Sequence, residues 1–200
     1  MQGRTLTDGE GRLPGDTPGD SGVWFFILAD MCTFAVFFLV FMAGRAAAPE
    51  AYEASRTHLD LRFGLANTLI LLTSGALMAK ATREAQAGRW RKVQQYLVLA
   101  LVSGLPFGLS KALEWKAKLA QGLGLTSSEF FTYYFVFTGV HFLHFVIGLI
   151  VLVALFVMAG KEDLASPDRL RWIEAGGAYW HMVDLLWIAL FAMLYLLRAA

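Results

Sequence analysis

The sequence predicts an all-α polytopic membrane protein, a bundle of five transmembrane helices, and three observations carry that prediction. Hydrophobic residues make up 57% of the 200 positions and charged ones only 16%, against about 25% charged in ordinary globular domains. The apolar residues fall into five blocks separated by polar connections. One block, Phe130 to Ala159, runs 30 residues without an Asp, Glu, Lys or Arg, well past the roughly 20 residues that cross a hydrocarbon core.

The elements follow in chain order. Residues 1–22 contain LPGDTPGDSG and read as a polar, flexible tail with little to bury; residues 23–200 form the membrane domain. Val23 to Ala43 is the first span, with Asp30 as its one charge. Phe63 to Ala79 is the shortest, 17 residues, and carries Asn67, Thr68, Thr73 and Ser74, groups that hydrogen-bond between helices in lipid. Tyr96 to Leu113 is the third, with Pro106 expected to kink it and Gly104 and Gly108 to admit a close neighbour. Lys111 and Glu114 are placed at its exit. TSSE (Thr126–Glu129) before the fourth span, Phe130 to Ala159, has the pattern of a capping box. The fifth span is Ala178 to Leu197. Trp24, Trp115, Tyr179, Trp180 and Tyr195 near span ends suit an interfacial aromatic belt.

With five spans, the tail shares a side with the second and fourth connections. That side holds ten Lys and Arg against six on the other, which places the N-terminus in the cytoplasm and the C-terminus in the periplasm. A net charge of +1, with its basic residues scattered between apolar blocks, excludes a nucleic-acid partner. The single Cys32, inside an apolar run, excludes an intrachain disulfide and a cysteine zinc site and reads as a small packing residue. P-loop, dinucleotide-binding and nucleophile-elbow patterns are absent.

The chemistry-bearing groups are those set deep in apolar sequence: Asp30, His141, His144, His181 and Asp184, with Glu114 at an edge. His141 and His144 are three apart and share a helix face, as do His181 and Asp184. Such groups in lipid face a protein interior and pair with one another. The expected role of His141, His144, His181, Asp184, Glu114 and Asn67 is a buried polar network joining the helices. Two readings stand beside it. One is a zinc or iron site built from the two pairs, although the Glu-x-x-His signature of di-iron bundles is missing. The other is a proton relay, for which Asp30 is the seam carboxylate that has no basic partner in its own span.

Four segments resemble subunit III of the haem-copper oxidases. TGVHFLHFVIGLIVL (Thr138–Leu152) is similar to that family's Thr-Gly-x-His-x-x-His-x-x-x-Gly, and YWHMVDLLWIALF (Tyr179–Phe191) to its last helix. ANTLILLTSG (Ala66–Gly75) and ALEWKA (Ala112–Ala117) occur in the family's order. The five-span form lacks the first two helices of the seven-helix subunit, and with them its lipid-holding cleft. It resembles quinol-oxidase subunits and the nitric oxide reductase accessory protein NorE, and the opening span after Leu-Pro-Gly-Asp looks closer to NorE. Asp30 stands where the family often has a Glu.

The resemblance implies a chain that is not catalytic alone and belongs to a cytochrome c or quinol oxidase, or to a nitric oxide reductase system, in a bacterial inner membrane. Haem, with copper or iron, is then expected in the partner, catalytic subunit I, which this chain stabilises while supporting proton uptake. Membrane phospholipid is a further expected companion. The alternative is a freestanding small transporter or proton conductor using Asp30 and the histidines.

Overall fold

Among the described residues of the computed structural model, five helices are long and apolar enough to cross a membrane. The structure describes residues 21–161 and 166–197; the polar tail expected at the N-terminus lies almost wholly outside them. Helix α1 spans Ser21–Ala47, the short connecting α2 Pro49–Arg56, α3 Leu61–Gln86, α4 Trp90–Ala120, α5 Glu129–Ala159 and α6 Ser166–Phe191, followed by a π-helical turn Ala192–Leu196. There is no strand among the described residues. Helices α1, α3 and α4 outrun their apolar blocks at both ends and α6 begins well before its own, because helical hydrogen bonds continue into the polar flanks until a cap or turn stops them. Asp60 caps α3, accepting from Arg62 N at 2.8 Å, and positive-φ Gly88 and Gly122 follow the ends of α3 and α4.

Helix α6 is the centre of the bundle. Of its most apolar window, 67% is buried, against 17% for α1. Trp180 and Trp187 of α6 lie fully inside. α3 packs most extensively on α4, and both α3 and α5 pack on α6. Glycines set the close approaches. A Cβ on Gly148 of α5 would stand 2.6 Å from the Trp180 ring, and one on Gly104 of α4 would stand 3.3 Å from both Trp180 and Ser74 Oγ.

Four expectations need correction. Tyr179, Trp180 and Tyr195 are buried in the bundle and form no interfacial belt; their polar tips find partners inside it. Cys32 is exposed on α1 and lies outside the packed core. The cap of α5 is Ser128, whose Oγ accepts from Phe131 N at 3.3 Å, because Glu129 is already the first helical residue. Lys111 and Glu114, placed at the exit of the third span, are buried within α4. Pro106 sits inside α4 without ending it.

Candidate functional site: buried polar clusters between the helices

Among the described residues, the candidate groups read from the sequence fall into three separate ionisable clusters at the helix seams, beside a set of indole–hydroxyl bonds. The largest centres on Lys111. Its Nζ donates to Glu114 Oε2 at 2.9 Å, to Tyr195 Oη at 3.0 Å and to Tyr134 Oη at 3.3 Å. Glu114 Oε1 in turn accepts from Tyr195 Oη at 2.6 Å and Tyr134 Oη at 2.8 Å. Lys111 thus uses all three of its protons. The rings of Tyr134 and Trp187 each lie 5.0 Å from Nζ, adding cation–π attraction in a dry setting. The cluster ties α4 to α5 and to the π-helical turn that presents Tyr195. Lys111 and Glu114 meet because residues three apart share a helix face.

The second cluster joins α1 to α5. His144 Nε2 lies 3.2 Å from Asp30 Oδ1, and His144 Nδ1 lies 2.8 Å from Val140 O. A carbonyl only accepts, so Nδ1 carries a proton. The Nε2–Oδ1 contact then requires one further proton, held on either the imidazole or the carboxyl group. Asp30, without a basic partner in its own span, finds one across the seam. Its Oδ2 is buried with no hydrogen-bond partner.

The third is His181 and Asp184 on α6, with Nδ1 3.7 Å from Oδ2. Gly75 of α3 faces this pair; a Cβ there would collide with Asp184 Oδ2. Asp184 is buried, whereas the His181 side chain is 46% exposed.

The remaining two candidates stand apart. His141 is fully buried between Phe107 and Trp187, with ring centroids 5.7 and 5.4 Å away, and neither nitrogen has a hydrogen-bond partner. Asn67 is buried with both amide atoms unbonded. The structure therefore brings Asp30 to His144 and His181 to Asp184, gives Glu114 a lysine and two tyrosines, and leaves His141 and Asn67 outside these clusters. Among the described residues no three His, Cys, Asp or Glu side chains come together.

Sequence reasoning missed Tyr134, Tyr195 and the central place of Lys111. The available signal was the three-residue spacing of Lys111 and Glu114; the tyrosines carried none. The hydroxyls of α3 divide by face. Trp187 Nε1 donates to Thr68 Oγ1 at 3.0 Å, and Trp180 Nε1 donates to Ser74 Oγ at 3.2 Å. Thr73, turned outward, bonds Leu69 O of its own helix. Outside the spans, the Glu53 carboxylate accepts from Arg56 and holds that guanidinium above its ordinary value. Arg56 also donates to Tyr195 O at 3.3 Å, tying α2 to the end of the last helix.

Five apolar helices packed by buried ion pairs, with indoles seated on α3 hydroxyls, define a polytopic membrane protein in which most of the ionisable groups of the spans lie in its own seams and His181 faces outward. The model of the cytochrome c oxidase subunit III family matches residues 19–198, and the chain belongs to that family. It is 28% identical over 177 residues to a probable cytochrome c oxidase subunit 3 of Mycobacterium bovis, covering 88% of this chain and 87% of that one. It is 26% identical to the cytochrome bo(3) ubiquinol oxidase subunit 3 of Buchnera aphidicola, covering 88% and 92%. A haem-copper oxidase subunit I+III of Aeropyrum pernix is 30% identical over 181 residues; this chain spans only 22% of that protein's length.

Proposed function

We propose that this chain acts as the non-catalytic subunit III of a respiratory haem-copper oxidase, holding and stabilising the catalytic subunit in a bacterial cell membrane. The observation that carries the reading is the family match over nearly the whole sequence, residues 19–198. The motifs behind that resemblance do local structural work. Trp180 and Trp187 of the last helix seat on Ser74 and Thr68, and Gly148 makes room for Trp180. The relative in which subunits I and III form one polypeptide supports a lasting association with subunit I. The excess of basic residues on the second and fourth connections supports a cytoplasmic N-terminus.

Support of proton uptake is assigned to the Asp30–His144 pair, whose contact requires a proton that either partner can hold. A nitric oxide reductase system of the NorE kind is the second setting, favoured by the Asp30 span that follows Leu-Pro-Gly-Asp. Purification of the tagged chain in mild detergent tests both. A partner with a haem spectrum that consumes oxygen supports the oxidase, and one that consumes nitric oxide supports the second setting. A chain that purifies without any haem-bearing partner, yet moves protons when reconstituted alone, would overturn the proposal in favour of a freestanding proton conductor.

A further inference from the structure

His181 is the one cluster member that faces outward. It lies at the middle of α6, half-exposed at 46%, where the surroundings of a membrane protein are hydrocarbon. A half-open imidazole at that depth is unfavourable in lipid. The exposed hydroxyls of neighbouring spans do not share the problem, because Thr33 donates to Ala29 O at 3.0 Å and Thr73 to Leu69 O at 2.7 Å within their own helices. His181 has only Asp184, at 3.7 Å, too far for a hydrogen bond. Asp184 Oδ1 is itself buried and unpartnered. Around His181 the surface is apolar: Leu185 and Ile188 are exposed along the same stripe of α6, and Leu72 is exposed beside Gly75 of α3. The pattern is a polar point ringed by apolar side chains, the arrangement of an interface anchor.

The chemistry of the partner follows from the ring. The Asp184 carboxylate facing Nδ1 favours the tautomer with its proton on that nitrogen, which leaves Nε2 as an acceptor. Nε2 has no hydrogen-bond partner among the described residues. We infer that the outer face of α6 around His181, Leu185 and Ile188 seats a transmembrane helix of the catalytic subunit, and that a hydroxyl, amide or indole donor on that helix bonds His181 Nε2. The inference rests on the proposed subunit III role and adds the face and the chemistry of the contact. Docking would cover the half-exposed imidazole and draw the His181–Asp184 pair together.

The test uses the complex in its native membrane. A benzophenone amino acid is placed at Leu185, at Ile188, or at Leu109, an exposed residue of α4 that serves as control. After illumination, cross-links to the haem-bearing subunit are expected from positions 185 and 188 and not from 109. Cross-links from 185 and 188 only to lipid or to a second copy of this chain, while the haem-bearing subunit still co-purifies, would overturn this inference and leave the subunit III reading standing. Absence of any haem-bearing partner would remove both. In the same preparation, His181→Leu should retain about fivefold less partner after a detergent wash, the factor that one interhelical hydrogen bond in a membrane supplies, and Leu109→Ala should retain the wild-type amount. Wild-type retention by His181→Leu would overturn the assigned hydrogen bond.

Discussion

Asp30 of α1 and His144 of α5 approach to 3.2 Å across the seam between the least enclosed helix and its neighbour. With His144 Nδ1 committed to Val140 O, the pair shares a single proton between Nε2 and Oδ1. Asp30→Leu removes the tether and strands a ring nitrogen, at a cost of about 1–3 kcal/mol. Its unfolding midpoint in detergent should fall accordingly. Asp30→Asn can donate its amide N–H to Nε2, so it should keep the wild-type midpoint while lowering proton-coupled turnover of the assembled complex. Midpoints for both variants equal to wild type would show that the pair does not hold α1.

The Lys111 cluster makes a sharper prediction. Lys111→Met leaves the Glu114 carboxylate buried without its cation, and breaking such a pair costs about 3–5 kcal/mol. Neutralising both partners removes the stranded charge. Lys111→Met with Glu114→Gln should therefore recover most of the lost stability, which thermal unfolding of the wild type and the two variants measures. A double variant no more stable than Lys111→Met would mean the loss came from packing against Tyr134, Tyr195 and Trp187.

Two glycines of α5 should respond oppositely to one added methyl group. Gly148→Ala drives a Cβ into the Trp180 ring, and overpacking of this kind costs about 1–3 kcal/mol. Gly139 has nothing within 4 Å of its Cβ position, so Gly139→Ala should be neutral or stabilising by up to about 1 kcal/mol. Chemical unfolding of the two variants side by side gives the comparison.

The isolated chain is expected to carry neither haem nor metal. Elemental analysis should find iron, copper and zinc far below one per chain, and EDTA should leave the unfolding midpoint unchanged. One tightly held metal per chain, with a midpoint that drops on chelation, would place a cofactor here and count against a purely structural role for the imidazoles and carboxylates.

The membrane architecture was legible because span length and the absence of charge are local properties. A run such as Phe130 to Ala159 has few other physical solutions. The pairs within one helix, Lys111 with Glu114 and His181 with Asp184, were likewise within reach of a three-residue spacing rule. Partners across helices were not. Nothing near Asp30 in the chain points to His144, 114 positions away, and Tyr195 gave no sign that it would fold inward onto Lys111. The belt reading of Tyr179, Trp180 and Tyr195 failed for the same reason: position along a helix gives depth in the membrane, while burial depends on rotation about the axis.

By itself, then, the sequence determined how many helices are apolar enough to cross a membrane and to which family its motifs belong. Hydrophobic length and spacing along one helix are written in consecutive residues. Only the tertiary structure decided which polar groups share a seam, because that depends on how the helices are rotated against one another around α6. That rotation encloses Lys111 with Glu114 and two tyrosines, gives Asp30 its histidine, and turns His181 outward.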